Sequence, residues 1–295
     1  IKTQLQRDIE ALEAALEKLK EYEKKLHICA DRGSYAKTDP DATFMHMKED
    51  YMRNGQLKPG YNVNVATCSD FIIGSYISSD RNDVHTLIPF MEQLQKNYEG
   101  KNSGSVVVDS GYESEENYCW FEAHPETELY VKPSNHEAAK HRKYRTDISR
   151  RENMAYNAQT DTYTCANGKL LQKTQEKKTH TASGLEITTS VYECSECDGC
   201  PLKEKCIRAC GSKKPLEERY KVIYVSKRFA RQRQAMEAKI SSPKGCLLRV
   251  NRSIQAEGNF AYVKQDLDFR RFLLRGSTKV AAEWLLFSLA LNILH

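Results

Sequence analysis

The spacing of apolar residues changes from a helical to a β-type pattern after about residue 33. In the first part, apolar side chains recur in steps of four and three, with Glu and Lys between them: Leu5, Ile9, Leu12, Leu16, Leu19 and Leu26. This pattern is typical of a long helix with a coiled-coil-like seam. Such a helix either packs on its own domain or pairs with a second copy, and the pattern leaves both readings open.

Two alternating stretches then predict a β-hairpin. They are Tyr61 to Thr67 and Phe71 to Ser78, and the short polar turn Cys68 to Asp70 joins them. Asn82 and Asp83 supply a cap for a following helix, whose apolar face carries Leu87, Ile88, Met91 and Leu94.

A β/α order follows the hairpin. The run Ser105 to Asp109 (SVVVD) predicts a buried strand that ends in an acid, a helix is predicted from Ser114 to His124, and a further strand from Leu129 to Lys132. Ligand sites of α/β folds form at the carboxyl ends of strands, so Asp109 is a candidate functional acid. The alternative is an Asp that only caps the turn into the next helix.

Polar, Cys-bearing sequence interrupts this order, and helical patterns then resume. A helix is predicted from Arg228 to about Ile240, another around Glu257, and a last one from Lys279 onward. The chain therefore predicts four parts: residues 1–30 as the coiled-coil-like helix, 31–134 as the first part of the main domain, 135–226 as a Cys-rich insertion, and 227–295 as a helical C-terminal part.

Composition indicates a globular protein without a membrane span. Hydrophobic residues make up 40% and charged residues 29%, and the longest apolar run, Trp284 to Leu291, is short enough to predict a buried helix. The net charge of +5 permits nucleic acid binding without demanding it, because the basic residues are spread along the chain. No signal peptide is recognisable, and the ten Cys fit metal ligands or buried thiols better than a disulfide framework. We expect a cytoplasmic protein.

Several segments together resemble one family. They are VVVDSGYESEEN around Asp109, NRSIQAEGNFAYVK from Asn251 to Lys264, FRRFLLRG up to Gly276, and GYNVNVA from Gly60 to Ala66. In this order they resemble the catalytic blocks of bacterial DDE (Asp-Asp-Glu) insertion-sequence transposases. The resemblance implies an RNase H-like mixed sheet with flanking helices, carrying the N-terminal helix and a Cys-rich, zinc-ribbon-like insertion.

The resemblance also implies an active site. Asp109 would be the second Asp and Glu257 the Glu, together holding Mg²⁺ or Mn²⁺. Carboxylates about 4 Å apart repel by roughly 4 kcal/mol at an effective dielectric near 20, so such a cluster makes sense only around cations. Lys264 lies seven residues after Glu257, which is two turns of a regular helix, and would contact the DNA backbone. The remaining phosphate contacts would be Arg252, Arg270, Arg271 and Arg275.

The resemblance implies partners as well: DNA carrying transposon terminal inverted repeats, a homodimer on that DNA, and a nucleoid-associated location. Its first catalytic Asp, usually in an Asp-Gly-Thr context, is missing here. We expect it upstream of Ile1, which makes this chain an N-terminally truncated fragment with impaired strand cleavage. Asp39 and Asp41 are the alternative candidates, although Asp-Pro-Asp is also an ordinary turn with both acids facing water.

The insertion carries a cysteine cluster with the spacing C-x2-C-x2-C-x5-C-x3-C from Cys194 to Cys210, and Cys165 lies upstream. Four thiolates suit a tetrahedral structural Zn²⁺, an iron-sulfur cluster uses similar spacing, and metal-free thiols remain open. The predicted zinc ligands are Cys165, Cys197, Cys200 and Cys206. The predicted role of the insertion is to contact DNA or a second protomer, with a purely structural plug as the alternative. The isolated residues Cys29, Cys68, Cys119 and Cys246 are predicted to be small buried side chains.

Two other functions compete with transposition. One is a DNA-binding zinc protein without catalysis, and the other is an RNase H-like nuclease that acts on a different substrate. Metal dependence separates the first alternative from an enzyme.

Overall fold

The computed structural model describes residues 3–47, 53–98, 104–208 and 214–294. Its α-helices, in chain order, are α1 Gln4–Cys29, α2 Leu87–Asn97, α3 Glu115–Ala123, α4 His136–Lys140, α5 Arg142–Arg145, α6 Lys203–Cys206, α7 Lys227–Ser241, α8 Pro243–Arg252, α9 Gly258–Ala261 and α10 Ser277–Leu294. Its strands are β1 Thr43–Met45, β2 Lys58–Gly60, β3 Asn62–Cys68, β4 Phe71–Ser78, β5 Ser105–Val108, β6 Glu128–Val131, β7 Ala155–Asn157, β8 Thr162–Thr164, β9 Leu170–His180, β10 Glu186–Glu193 and β11 Val222–Val225.

The chain folds as two compact units. The first unit combines Ile1–Lys101 with Val250–His295, and the second is Asn102–Arg249. The boundaries differ from the four parts expected from the sequence, whose division stays a prediction.

The first helix forms where the apolar repeat predicts it. Thr3 and Gln6 cap its start reciprocally, each side chain accepting the other residue's backbone N–H, which satisfies donors that a helix end leaves open. No side chain of α1 is buried. Packing of this helix on its own domain is therefore not seen among the described residues.

The predicted hairpin is confirmed. β3 and β4 pair antiparallel, and Ser69 and Asp70 make the turn with φ of 49° and 70°. Asn82 caps the turn before α2, as predicted, and α2 buries Leu87, Phe90 and Met91. The short antiparallel pair β1 and β2 had no sequence signal.

The first unit has an aromatic core around Trp284 of α10. Phe260, Phe269, Phe272 and Phe287 all have ring centroids within 4.5 to 6.4 Å of a neighbouring ring in this cluster. Ile72 of β4 and Val263 are buried in the same cluster. The hairpin, the segment after α8 and the last helix thus share one core.

In the second unit, β5 and β6 form a parallel pair, with Val107 opposite Tyr130. The predicted strands and the helix α3 between them are confirmed, and Ser114 caps α3 as a good N-cap residue should. The expectation of a buried β5 is wrong, since all four of its residues are only half-buried.

The Cys-rich region contains a five-stranded antiparallel sheet, in the order β11-β10-β9-β8-β7. Leu171, Tyr192, Ile223 and Val225 form its core, with Cys194 and Cys197 among them. Most of the long strand β9 is exposed on both faces; only Leu171 is buried. The backbone of this region is ordered by the hydrogen bonds between its antiparallel strands.

The mixed α/β class is confirmed. The described strands lie in four separate sheets, however, three of them two-stranded. The single RNase H-like sheet therefore stays a prediction.

The last helix is only partly the buried helix expected from its apolar run. Val280, Trp284, Ser288 and Leu291 are buried, whereas Leu286 and Ile293 on another face are 71% and 76% exposed. In length and composition Ser277–Leu294 passes a test for a membrane span, but the core helix of a soluble protein passes the same test.

Candidate active-site carboxylates and nucleic-acid interface

Asp109 lies directly after β5, at the carboxyl end of the parallel pair. Its side chain is exposed, and one carboxylate oxygen accepts the backbone N–H of Ser110 at 2.8 Å. The acid thereby caps the short 3-10 turn Ser110–Tyr112. The capping geometry expected of a structural Asp is present, and it leaves the carboxylate at the protein surface.

The segment after Asp109 is held by a buried ion pair. Glu113, whose side chain is 1% exposed, accepts two hydrogen bonds from the guanidinium of Arg233 on α7, at 2.7 and 2.8 Å. Tyr118 and the backbone N–H of Ser134 donate to the same carboxylate. Burial, together with the Glu113 charge, raises the pKa of Tyr118. Removing one partner of such a buried pair would leave an uncompensated charge. The ion pair with Arg233 therefore holds Glu113, four residues after Asp109, in place.

Glu257 lies in a helix that departs from regular α geometry. Ser253–Glu257 and Tyr262–Asp266 are π-helical, and α9 lies between them. The side chain of Glu257 lies outside the part of the chain that the structure describes. Because π turns contain more residues than α turns, seven residues are not two regular turns here. A common face for Glu257 and the half-buried Lys264 stays a prediction.

Four arginines were predicted to bind phosphates, and three of them lie in one loop, residues 268–276, called here the arginine loop. Phe269 and Phe272 of this loop pack into the Trp284 core, while Arg270, Arg271 and Arg275 are exposed. Arg270 is also hydrogen-bonded to Asp268. The aromatic side chains anchor the loop, and the cations face outward. Arg252, at the end of α8, is half-buried.

Three carboxylates fix the backbone of the arginine loop. Glu283 accepts the N–H groups of Leu273 and Leu274, both at 2.9 Å. Asp39 accepts the N–H of Gly276 at 3.1 Å, and Asp41 accepts the N–H and the hydroxyl of Ser277 at 2.8 and 2.9 Å. The last two acids therefore sit at the N-terminus of α10, where negative charge is favourable.

This arrangement corrects the picture of an Asp-Pro-Asp turn with both acids facing water. Asp39 is 8% exposed and also accepts the hydroxyl of Tyr61 at 2.8 Å. Burial and then the Asp39 hydrogen bond raise the pKa of Tyr61. The hydrogen bonds from Ser277 lower the pKa of Asp41. Both acids are engaged by the start of α10, which gives them a structural role.

The Cys-rich region brings its thiols around one small cavity. Five of them line a volume of about 20 Å³: Cys165, Cys194, Cys197, Cys200 and Cys206. All four predicted zinc ligands are in this set, while Cys210 lies outside the described residues. Even so, the described His, Cys, Asp and Glu side chains include no group of three or more that could hold a metal ion as they stand. The structure thus gathers the thiols without showing a zinc site.

A buried amine accompanies the thiols. Lys221, 9% exposed, donates from Nζ to the carbonyls of Ser149 and Cys206 at 2.6 and 3.0 Å, and its backbone N–H points to Cys197 Sγ at 3.4 Å. Its positive charge favours the thiolate forms. Burial acts in the opposite direction and raises the pKa of Cys194 to about 11 and that of Cys206 above its usual value.

The isolated cysteines do not follow the expectation of small buried side chains. Cys68 and Cys246 are exposed, and Cys29 and Cys119 are half-buried. That prediction is wrong for the first two, because the end of strand β3 and a helix surface place them in solvent.

An exposed acid at the end of a parallel strand, in a mixed α/β chain, is consistent with a nuclease-like domain. Residues 164–295 match a family model described as "Transposase DDE domain". The match covers a little under half of the chain; it includes Glu257, Lys264, the arginine loop and the cysteine cavity, and begins after Asp109. No curated protein and no solved structure matches the chain. The family match supports a DDE transposase, and DDE transposases act on DNA and normally use a divalent metal ion such as Mg²⁺.

The predicted site residues are divided between the two units. The arginine loop and the Glu257 segment belong to the first unit, whereas Asp109 and the cysteine cavity belong to the second. Sequence reasoning missed the roles of Glu113, Arg233, Lys221 and Glu283. Glu113 and Arg233 lie 120 positions apart, and Lys221 lies 72 positions from Ser149, so no local pattern marks these contacts.

The Asp41 contact yields a stability prediction. Asp41→Ala removes the cap of α10, so the free energy of unfolding should fall by about 1 kcal/mol at pH 7, the usual loss for an N-terminal cap. The folded-state pKa of Asp41 lies below its ordinary value of 3.8, so the charged side chain stabilises the fold above that value and loses this contribution as pH falls further. The difference between wild type and variant should thus be constant near neutrality and shrink below about pH 4.

Urea unfolding followed by circular dichroism at several pH values measures this difference. Asp31→Ala, which removes an exposed acid, is the matched control and should leave the unfolding free energy unchanged. An equal loss for both variants, or a loss that does not depend on pH, would contradict the assigned cap.

Proposed function

We propose that this protein carries out DNA transposition by metal-dependent strand cleavage and transfer, as a bacterial DDE insertion-sequence transposase. In this proposal Asp109 is the second acid of the triad and Glu257 the third. The observation that carries it is the match of residues 164–295 to a transposase DDE domain, downstream of an exposed acid at the end of a parallel strand.

The donor set agrees with the metal that the chemistry needs. Asp109 offers a hard, exposed carboxylate oxygen, the ligand type that Mg²⁺ and Mn²⁺ prefer. Asp109 and Glu257 would hold the metal. When bound, such ions activate the attacking oxygen and stabilise the leaving oxygen of a phosphoryl displacement.

The chain's own residues bind and orient the nucleic acid. Arg270, Arg271 and Arg275 would contact phosphates from a loop whose backbone is already fixed by three carboxylates. Binding would therefore cost little conformational entropy of that backbone. Lys264 would contact the backbone near the scissile bond, and Arg252 would add another phosphate contact. These contacts position DNA and carry no base sequence information. The terminal inverted repeats, a homodimer on DNA and a nucleoid-associated cytoplasmic location remain part of the proposal.

Two acids do not make a complete triad. Asp39 and Asp41 are engaged by the start of α10, which argues against either as the missing acid.

Direct metal titration tests the two acids without relying on turnover. Asp109→Asn and Glu257→Gln should each weaken Mn²⁺ binding by more than about tenfold, since losing a ligand costs at least as much as losing a partner that orients one. Electron paramagnetic resonance of free Mn²⁺ gives the affinity, and Asp70→Asn, in the exposed hairpin turn, is the matched control. Unchanged binding in both variants would favour the DNA-binding protein without catalysis.

The arginine loop makes a separate prediction about DNA affinity. Arg271→Ala and Arg275→Ala should each weaken binding of unrelated duplexes alike and reduce the salt dependence, log K against log salt, by about 0.9 per lost phosphate contact. Fluorescence anisotropy over a range of salt concentrations measures this slope. Lys140→Ala, an exposed cation that contacts Glu137, is the control, and an identical effect there would reduce the loop to general surface charge.

We infer further that the cysteine cavity holds a structural Zn²⁺ through Cys165, Cys197, Cys200 and Cys206. Support comes from the convergence of five thiols on a cavity of about 20 Å³ and from the buried amine of Lys221 beside them. The sheet around the cavity buries few large apolar side chains, so a metal would add stability that packing does not supply. Closure of the sulfur atoms onto the ion would accompany binding.

Metal analysis and unfolding test the zinc site. The purified chain should contain one zinc per chain, and a chelator should lower the melting temperature and release that metal. Cys197→Ser should lose the metal, whereas Cys68→Ser, at the exposed end of strand β3, should retain it. Cys194→Ser tests the choice of ligands, because loss of zinc in this variant would show that Cys194 is a ligand in place of one of the four. A wild-type chain that contains no metal and is insensitive to the chelator would show that the cysteines are metal-free buried thiols.

A further inference from the structure

The first helix is the longest of the described helices, and none of its side chains is buried against the described residues. α1 has 26 residues, none of them buried, and its large apolar side chains from Leu5 to Leu26 are 47% to 71% exposed. Helices in water gain most of their stability from packing an apolar face, so a bare helix of this length needs a surface to cover it.

The apolar side chains form a heptad seam. Leu5, Leu12, Leu19 and Leu26 recur every seven residues, and Ile9, Leu16 and Glu23 alternate with them. In coiled-coil notation the first set occupies d positions and the second occupies a positions. The Glu21–Lys25 ion pair lies on the opposite, outward face of the helix. The seam is therefore suited to a second helix of the same kind.

Charges decide the direction in which two copies would pair. In a parallel dimer Glu23 would face its own copy across the seam, and Asp8 would lie beside Glu13 of the second copy. Like charges in these places oppose pairing. A parallel arrangement is disfavoured at two points.

An antiparallel arrangement removes both conflicts. With Ile9 opposite Leu26 of the second copy, Leu16 lies opposite Leu19, and Glu23 packs its stem against Leu12. The flanking positions then bring Glu13 next to Lys20 of the second copy, and by symmetry this ion pair occurs twice. The overlap covers almost the entire helix.

We propose that α1 is a self-association surface and that two copies of this chain pair through it as an antiparallel coiled coil. The pairing does not depend on the DNA chemistry proposed above, because no residue of α1 belongs to that site. Its failure would leave the metal and arginine predictions unaffected.

Sedimentation of the full chain with charge-reversal variants tests both the surface and its direction. Glu13→Lys places two cations together at each of the two symmetric contacts, and should weaken dimerisation roughly tenfold; Lys20→Glu should do the same with anions. Mixing the two variants should restore dimers as heterodimers, because both symmetric contacts then join a cation of one copy to an anion of the other. Glu17→Lys, an equal charge change away from the seam, is the control and should leave the dimer intact.

The outcomes separate the possible arrangements. A parallel dimer would be strengthened by Glu13→Lys, because the introduced ammonium group would then face Asp8, and this result would overturn the antiparallel proposal. A monomer at all concentrations, or association that survives Leu16→Lys, would show that a different surface or another protein segment covers α1. Circular dichroism of each variant confirms that the helix is still formed.

Discussion

The packing of aromatic rings on Trp284 is the interaction on which the functional residues of the first unit depend. Phe260 brings in the segment that carries Glu257, Phe269 and Phe272 bring in the arginine loop, and Ile72 brings in the hairpin. Aromatic side chains bury large areas at a low cost in rotamer freedom, so a few rings can order a loop that is otherwise charged. The cations of the loop are therefore presented by a rigid base instead of a mobile tail.

Hydrogen bonds from distant acids complete what the rings begin. Asp39 and Asp41 precede the hairpin in sequence and yet hold the backbone at Gly276 and Ser277. Arg32 in turn donates to the carbonyls of Pro40 and Asp41 and so braces the same turn from the end of α1. A loop suited to phosphate contacts is thus stabilised by negative charge on the side of its backbone, while Arg270 pairs with Asp268 at the surface.

The elements that sequence reasoning found share local signals. The seam of α1, the polar turn at Ser69 and Asp70, and the caps Asn82 and Ser114 are each contained in a few neighbouring residues. The sheet β7–β11 was missed because β9 is exposed on both faces, so no alternation marks it. The π-helical turns beside Glu257 have no sequence signature, so the spacing between Glu257 and Lys264 predicts two regular α-helical turns where the helix is irregular. Contacts such as Glu113 with Arg233 join residues 120 positions apart, which no local pattern can reveal.

The exposure of β9 has a consequence for solubility. β8 pairs with β9 only at Leu170 and Leu171, so among the described strands nothing covers that side of β9 from Gln172 to His180. An open strand edge of this length is a template onto which another chain can add a strand. Lys173, Lys177 and Lys178 lie along it, and bringing two such edges together would bring like charges together. Lys173 and Lys178 also pair with Glu176 and Glu186, so the lysines both order their surroundings and oppose the approach of a second edge of the same kind.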